Sequence, residues 1–364
     1  MKIASAEHEV ALPFQEPSAP ETAWTIEVPI SATHLRSCIQ ESIGRDLEQV
    51  NRILDQQLQS PHRFLDNVLQ HAGQFRGKQI RPILLLLCQK SMRQKLNRTA
   101  HMLAAVVEMI HTATLVHDDI LDDASIRRHM PTINHSWNCQ TGVLLGDYLF
   151  SRAFRLAAST GDATACEYIG RATDLTCAGE LHQIAANQDR SRSELDYFRV
   201  IRGKTGQLFG LSCHLGARAA QASSSVQQQL RIAGIELGMA FQIADDILDL
   251  TGIEAQTGKD IGNDLSNGRL TLPLLRALQL ASVSERGRIL QLLDAVCIGS
   301  SASEFAEYWK QLTSCFAVRQ GMEAAQHTAQ QLVERSLQRF TALPDSEDRR
   351  LLETIAHFAV QREA

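Results

Sequence analysis

The sequence predicts an all-α protein, a single large bundle of roughly ten or more helices around a central cavity. From about residue 34 onward, apolar side chains recur every three and four positions, as at Leu35, Ile39 and Ile43, which is the spacing of an amphipathic helix. Alternation of β-branched residues is scarce, so no strand is expected, and no repeat of fixed length occurs. These observations favour one all-α domain over residues 34–364.

The first 33 residues differ from the rest in composition. They contain four of the nine prolines and five glutamates, but only one lysine and no arginine. They lack the basic and apolar regions of a signal peptide and the arginines of a transit peptide. We expect residues 1–33 to form an acidic, proline-rich and loosely ordered arm. Docking of Phe14 or Trp24 onto a partner subunit is the alternative.

Turn-forming residues divide the chain into its expected helices. Glycine, proline and short polar clusters interrupt the apolar periodicity at several places. The expected breaks are 59–61, 73–81, 128–132, 161–162, 188–193, 252–273 and 300–303.

Composition excludes several classes of protein. The net charge is −5, so no basic field favours nucleic acid as a partner. The eight cysteines are scattered without a Cys-x-x-Cys pair, which suits a reducing cytoplasm better than a disulfide framework or a zinc site. The longest aliphatic run, Ile83 to Cys88, is far too short to cross a bilayer. We therefore expect a cytoplasmic protein without a transmembrane segment.

Two acidic clusters have the same pattern, Asp-Asp-x-x-Asp, and each follows an apolar run. Their members are Asp118, Asp119, Asp122, Asp245, Asp246 and Asp249. On a helix, the first and last aspartates of a cluster lie one turn apart, and the middle one shares their broad face. Two like charges about 4 Å apart cost roughly 4 kcal/mol at an effective dielectric near 20, so such clusters call for a cation. A solvated helix face is the alternative, but like charges one turn apart destabilise a helix.

The type of ligand indicates the metal. Oxygen ligands without His or Cys select Mg²⁺, or Mn²⁺, over zinc. Mg²⁺ usually keeps several waters and takes its remaining ligands from substrate phosphates. Two facing sets of aspartates therefore predict a diphosphate held between helices through bridging metal ions.

A diphosphate site also needs cations from the protein. Compact basic groups occur at 76–81, 127–128, 202–206 and 258–259. Arginine binds phosphate through a planar fork and lysine through a point charge, although each group alone is more simply a basic surface loop. The segment around Lys204 lacks the full phosphate-loop pattern and a preceding strand, which argues against an ATPase.

Taken in order, these motifs resemble those of the trans-isoprenyl diphosphate synthases. The first block comprises Gly77-Lys78-x-x-Arg81-Pro82, Ile110-His111-Thr112-Ala113, the first aspartate cluster and Arg127-Arg128. The second block comprises Lys204-Thr205, Ala240-Phe241-Gln242-Ile243, the second aspartate cluster, Gly258-Lys259 and Thr271-Leu272-Pro273. The match runs from about residue 63 to residue 275, and the segment before Asp118 is most similar to long-chain octaprenyl and heptaprenyl enzymes.

The resemblance implies a role for each matching residue. All six aspartates would bind Mg²⁺. Catalysis is implied for Asp118, Asp119, Asp122, Lys204 and Asp245. Contacts with an allylic diphosphate are implied for Arg127, Lys204, Thr205, Gln242 and Lys259. Contacts with isopentenyl diphosphate are implied for Lys78, Arg81, His111 and Arg128. His117 is expected to be structural, and the family implies a homodimer.

The implied reaction needs no nucleophile from the protein. Metal ions and basic side chains withdraw charge from the leaving diphosphate, the C1–O bond ionises, and isopentenyl diphosphate attacks the allylic cation. The released diphosphate can accept the departing proton, and the sequence has no recognisable Ser-His-Asp motif. The chain departs from the family pattern at Arg76, His129, Asp260 and Arg269, but none of these removes a metal ligand. A competent catalyst is expected.

The residues before the first aspartate cluster predict a long product. The growing chain is expected to run beside the helix that carries Asp118, and a helix rises about 5.4 Å per turn, close to one isoprene unit. Ala113 and Thr114, one turn upstream, are small, whereas short-chain members of the family carry aromatic residues there. The expected product is therefore about C35 to C50, with octaprenyl as the best match, for quinone side chains. A farnesyl or geranylgeranyl product is the alternative.

Three further interpretations remain. A class I terpene cyclase shares the fold and the first motif, but its second motif ends in Glu, which residues 263–269 lack. A non-catalytic subunit of a heteromeric synthase is disfavoured by the complete aspartate motifs. A helical scaffold protein leaves both clusters unexplained.

Overall fold

Helices form almost all of the secondary structure in the computed structural model, which describes residues 31–187, 193–251, 262–297 and 302–361. The prediction of an all-α fold is confirmed. The helices of the first half are α1 (Ala32–Gln57), α2 (Arg63–Gly73), α3 (Ile80–Ser91), α4 (Arg98–Leu121), α5 (Ile133–Ser136), α6 (Cys139–Ala158) and α7 (Ala163–Asn187).

The second half continues with a helix that changes its winding in the middle. Helix α8 (Glu194–Ile201) runs into one π-helical turn (Arg202–Gly206) and then into α9 (Gln207–Ala219). The remaining helices are α10 (Ser224–Thr251), α11 (Asn263–Ser266), α12 (Leu272–Leu280), α13 (Val283–Cys297), α14 (Ala302–Ser314), α15 (Phe316–Phe340) and α16 (Glu347–Val360).

The helix boundaries follow the expected breaks at 59–61, 73–81, 128–132 and 161–162. Residues 188–192, 252–261 and 300–301 of the other expected breaks lie outside the described residues, and the short helix α11 lies within the expected break 252–273. Helix α1 begins at Ala32, where the Ser31 hydroxyl accepts a hydrogen bond from the amide of His34 at 3.2 Å. The proposed arm therefore lies almost entirely outside the described residues. Further breaks at 92–97 and 220–223 were not expected, because the polar residues there resemble exposed helix surface.

One small ribbon was also not expected. Strand β1 (Ile126–Arg127) pairs in antiparallel fashion with β2 (Met130–Pro131). Two residues are too few to show the alternation of side chains that identifies a strand in a sequence. This hairpin nevertheless positions the first arginine pair.

Three apolar clusters hold the helices together. The largest is formed mainly by α1, α3, α4, α9, α10, α15 and α16. A second lies among α12 to α15, and a third joins α2, α5 and α6 to the end of α4. Helix α4 is long and apolar enough to span a membrane by composition, but 67% of its apolar window is buried inside the protein. It is thus a core helix, and α4 and α10 both carry an aspartate cluster at their carboxyl ends.

Candidate active site

The two aspartate clusters lie at the carboxyl ends of α4 and α10, and each has one deeply buried member. Asp119 is 1% exposed and Asp246 is 3% exposed, whereas the flanking aspartates are partly exposed. Burial of a carboxylate is costly unless it is paired or hydrogen-bonded. The partners of each aspartate therefore define the site.

Asp119 is paired with the arginine of the hairpin. The Arg127 Nε donates to both carboxylate oxygens of Asp119, at 2.8 and 3.0 Å. Burial raises the pKa of Asp119, and the adjacent guanidinium opposes that rise. The pair fixes the direction of Arg127 beside the first cluster.

The hairpin turn directs the second arginine to another segment. Arg128 and His129 have φ angles of 52° and 63°, so His129 adopts the left-handed backbone that glycine adopts most easily. The Arg128 guanidinium donates to the carbonyl of Phe75 and covers Gly77, where a Cβ would lie 2.2 Å from a guanidinium nitrogen. A side chain at position 77 would therefore displace the Arg128 guanidinium, which joins the loop before α3 to the hairpin.

A second group of basic side chains surrounds His111. Arg81 stacks on the ring of Phe209 at 4.8 Å, and burial lowers its pKa to about 10 despite the nearby carboxylates of Glu108 and Asp245. Burial lowers the pKa of His111 far below its usual value, and Arg81 and Arg128 lower it further. A neutral imidazole among guanidinium groups favours an anionic ligand. Lys78 is exposed in the adjoining loop.

The π-helical turn brings Lys204 to the first cluster. Its Nζ lies 2.9 Å from Glu180 on α7 and 3.6 Å from Asp118. A Cβ on Gly203 would lie 2.8 Å from the Cα of Gly179, so the turn and α7 approach closely only because both residues are glycine. This approach sets the position of Lys204.

The next residue of the turn connects to the second cluster. The Thr205 hydroxyl donates to the Gln242 side chain at 2.7 Å, and the Gln242 amide donates to Asp246 at 2.9 Å. The Tyr197 hydroxyl also donates to Asp246, at 2.6 Å. Burial raises the pKa of Asp246 well above its usual value, although these two donors oppose the rise. The turn thus reaches the first aspartate cluster through Lys204 and the second through Thr205 and Gln242.

Arg269 links the two sides of the site. Its guanidinium pairs with Asp122 of the first cluster and lies 3.6 Å from Asp264, which follows α10. Asp249 in turn accepts hydrogen bonds from the backbone amides of Asn263 and Asp264, each at 3.2 Å. The clusters are therefore joined through basic and backbone groups.

The donor set fits Mg²⁺ that binds together with a diphosphate. In the described ranges, no group of three or more His, Cys, Asp or Glu side chains converges on one metal position. Mg²⁺ does not require such a cage, because one or two carboxylates, substrate phosphates and waters complete its shell. Asp118 lies 3.6 Å from Lys204 and Asp122 pairs with Arg269, so each of these two carboxylates lies beside a cation that could also bind a phosphate oxygen. The assignment of the six aspartates as metal ligands stays a prediction.

The structure brings together most of the residues predicted for the site. Lys259 lies outside the described residues. His117 has the expected structural surroundings, since its Nε2 donates to the carbonyl of Val143 at 3.1 Å. Glu180, Tyr197 and Arg269 belong to the same network but were not selected from the sequence as site residues. Glu180 and Tyr197 carry no motif, and only Arg269 was noted, as a departure from the family pattern.

Comparison with known proteins gives consistent results. The family model described as polyprenyl synthetase matches residues 62–308. The chain is 35% identical to heptaprenyl diphosphate synthase component 2 of Geobacillus stearothermophilus, over 88% of this chain and 97% of that one. It is 30% identical to octaprenyl diphosphate synthase of Escherichia coli, over 89% of this chain and 98% of that one. The fold matches a polyprenyl synthase from Caulobacter crescentus complexed with calcium and isoprenyl diphosphate, with a TM-score of 0.82, 30% identity and coverage of 90% and 98%.

Proposed function

Because the chain belongs to the polyprenyl synthetase family and is a prenyltransferase, we propose that it is a long-chain trans-polyprenyl diphosphate synthase. It would condense isopentenyl diphosphate head to tail onto an allylic diphosphate, in the cytoplasm and with Mg²⁺. Its similarity to synthases with C35 to C50 products supports a long chain for quinone side chains, with octaprenyl as our best estimate.

One observation supports this function most strongly: basic side chains from distant segments converge between two aspartate clusters. Lys204, Arg127 and Arg269 come from the π-helical turn, the hairpin and the segment after α10, and each contacts an aspartate of the first cluster. A bound diphosphate would supply negative charge to these cations, and its metal ions would supply positive charge to the aspartates.

The residues of the site would have the following roles. The six aspartates of the two clusters would hold Mg²⁺, which supplies Lewis-acid stabilisation of the leaving diphosphate when bound. Lys204, held by Glu180, would donate to the same diphosphate oxygens. 

The pocket of the second substrate would lie around Arg81, Arg128 and His111, whose positive surroundings suit isopentenyl diphosphate. The released diphosphate would take the departing proton. The buried Asp119 would orient Arg127, and the buried Asp246 would orient Gln242, in each case by accepting a hydrogen bond.

Product length would depend on the face of α4 below Asp118. Ala113 is fully buried and packs in the third apolar cluster with Leu69 and Leu145. Thr114 is partly exposed, and its hydroxyl donates to the carbonyl of His111 at 2.8 Å. Both side chains are small, so neither would block a path for the growing chain beside α4.

The test is mass spectrometry of the product formed from labelled isopentenyl diphosphate and farnesyl diphosphate. We expect chains of about C35 to C50 from the natural protein, and about C15 to C20 from Ala113→Phe and Thr114→Phe, because a ring blocks the path one turn below Asp118. Leu121→Phe, at an exposed position on the same helix, is the control. Unchanged chain length in both variants would contradict the tunnel, and absence of turnover by the pure natural protein would favour a non-catalytic subunit.

We also propose a homodimer. Helices α6 and α7 pack side by side and carry several exposed apolar side chains. These are Val143, Leu144, Phe154, Leu181 and Ile184. Apolar side chains that cluster on one surface are typical of a protein interface, and the occupant we propose is a second copy of this chain.

A further inference from the structure

One buried carboxyl group, that of Glu108, takes no part in the proposed reaction. Glu108 lies on α4, one turn before His111 and Thr112, and is 4% exposed. Its Oε2 is buried, and it has no hydrogen-bond partner within the described part of the chain. Burial raises the pKa of Glu108, and the charges of nearby arginines oppose the rise. A buried carboxyl group without a hydrogen bond is costly, so this one calls for a polar neighbour.

Arg76, on the loop before α3, has a similar unsatisfied group. Its Nη2 donates to Asp55 on α1 at 2.7 Å, but the Asp55 side chain is 58% exposed, and an ion pair at the surface contributes little. The Nε of Arg76 is instead buried, and no described residue accepts a hydrogen bond from it. Arg76 is also one of the positions at which the chain departs from the family pattern. The pair with Asp55 therefore does not account for the buried part of this side chain.

Arg76 and Glu108 line the same small void, together with Thr112. The other side chains of its wall are apolar, and the void has room for about one water molecule. The Thr112 hydroxyl donates to the carbonyl of Glu108 at 2.9 Å, so its oxygen only accepts from any further partner. A guanidinium only donates, and a carboxylate only accepts. A water that accepts from Arg76 and donates to Glu108 and Thr112 would make three hydrogen bonds, the number that buried waters typically make.

The segment that carries Arg76 belongs to the proposed pocket for isopentenyl diphosphate. The Arg128 guanidinium donates to the carbonyl of Phe75, the residue before Arg76. On the other side of the void, His111 lies on α4 within one turn of Glu108. A link between Arg76 and Glu108 would therefore join the loop before α3 to the turn of α4 from which substrate contacts are expected.

We propose that this void binds one ordered water that bridges the guanidinium of Arg76 to the carboxyl group of Glu108, and that the bridged pair positions the loop before α3 for isopentenyl diphosphate. The void is too small for a phosphate, and side chains of opposite charge on its wall do not favour a lone ion. Both are positioning residues, since neither touches the substrate in this assignment. Their role rests on the proposed function, whereas the water and the pair belong to the free protein.

Steady-state kinetics of the full chain separates positioning from a merely structural role. We expect Arg76→Met and Glu108→Gln each to raise KM for isopentenyl diphosphate about tenfold, with kcat and KM for farnesyl diphosphate within about twofold of the natural values. The double variant should have the KM of the single variants, because either change alone removes the bridge. Arg76→Lys keeps a donor and its charge and should restore KM to within about threefold of the natural value. Arg350→Met removes an equal charge from an exposed pair with Asp345 and should match the natural chain.

A crystal structure of the chain without substrates tests the water itself. We expect density for one water within hydrogen-bond distance of Arg76 and Glu108, and no such density in Arg76→Met. A natural chain without this water, or natural KM for isopentenyl diphosphate in both single variants, would overturn the proposal. So would a double variant whose KM rises about a hundredfold, because the effects of independent sites multiply.

Failure of the proposed function would give a different result. If the natural chain shows no turnover, thermal unfolding of the same variants replaces the kinetics, and the midpoint should fall in each single variant and no further in the double variant. Additive shifts of the midpoint would contradict the bridge. The same measurement shows whether each variant folds. Arg76→Met, at a partly exposed position, carries the test together with Arg76→Lys if Glu108→Gln does not fold.

Discussion

Burial and neighbouring hydrogen-bond donors together determine the pKa of a single side chain in this protein, as Asp246 illustrates. Burial raises its pKa well above the usual value, while hydrogen bonds from Tyr197 and Gln242 favour the charged form. A charged Asp246 would keep Gln242 oriented towards Thr205. The donors are therefore as important to the candidate site as the carboxylate itself.

Replacing Tyr197 with Phe removes the shorter of these two hydrogen bonds. We expect kcat/KM for the condensation to fall about tenfold, because about 1 to 3 kcal/mol of stabilisation of the buried carboxylate is lost. Steady-state kinetics over a range of Mg²⁺ concentrations measures the effect. Tyr308→Phe, on α14 in the second apolar cluster, is the matched control. Equal kinetics in the two variants would show that Tyr197 has no role in positioning.

His214 gives the protein an acid-sensitive stability. Burial lowers its folded-state pKa from 6.5 to about 4, so the unfolded chain binds a proton first as the pH falls. The contribution of the neutral, buried His214 to the free energy of unfolding is fully present above pH 6.5 and is lost between pH 6.5 and about 4. 

Between pH 7.5 and pH 5, we expect the free energy of unfolding of His214→Gln to fall by about 2 kcal/mol less than that of the natural chain. Urea unfolding in phosphate-free buffer measures the difference. His327→Gln, an exposed position, should leave the pH dependence unchanged. A pH dependence in His214→Gln as steep as in the natural chain would show that another group is responsible.

At the scale of elements, the π-helical turn between α8 and α9 links the two aspartate clusters. It wraps five residues into one turn, and consecutive residues then reach different partners: Lys204 reaches Asp118, and Thr205 reaches Gln242. The turn fits closely against α7 because Gly203 and Gly179 lack side chains where they meet. Its position is therefore sensitive to a single added methyl group.

Gly203→Ala tests this packing. Its Cβ would meet the backbone of Gly179 at 2.8 Å and the carbonyl of Leu175 at 3.0 Å, and neither backbone atom moves easily. We expect the free energy of unfolding to fall by about 1 to 3 kcal/mol. The turnover rate should fall by a larger factor than the fraction of folded protein does. Gly170→Ala on α7, where a Cβ meets nothing within 4 Å, should be neutral or stabilising by up to about 1 kcal/mol. Thermal unfolding and turnover rates are the measurements.

At the scale of the whole molecule, the exposed apolar surface of α6 and α7 is the feature that a single chain leaves without a partner. Leu144 is 68% exposed and Leu181 is 66% exposed. We expect light scattering after gel filtration to give twice the chain mass of 40.4 kDa. Leu144→Glu should yield the single-chain mass, because a charge would be buried at the interface. Leu280→Glu, exposed on α12, is the control, and a natural chain of single mass would contradict the dimer.

Much of the site could be predicted from the sequence because its residues occur in short, ordered motifs. The aspartate clusters, Lys204 and the arginine pair were found in this way, and the structure places them together. Glu180 and Tyr197 could not be found, because a lone glutamate or tyrosine within a helix has no local pattern that distinguishes it from an ordinary surface or core residue. The hairpin escaped prediction since two residues cannot show a period.

The sequence by itself determined the all-α class and the order of the motifs, because helical periodicity and motif spacing are local properties of the chain. Only the tertiary structure decided which cation meets which carboxylate: Arg127 meets Asp119, Lys204 meets Asp118 and Glu180, and Arg269 meets Asp122. These choices depend on how far α7, α10 and the hairpin approach one another, which is set by packing and by glycine contacts across the bundle. Such distances cannot be predicted from any single segment of the sequence.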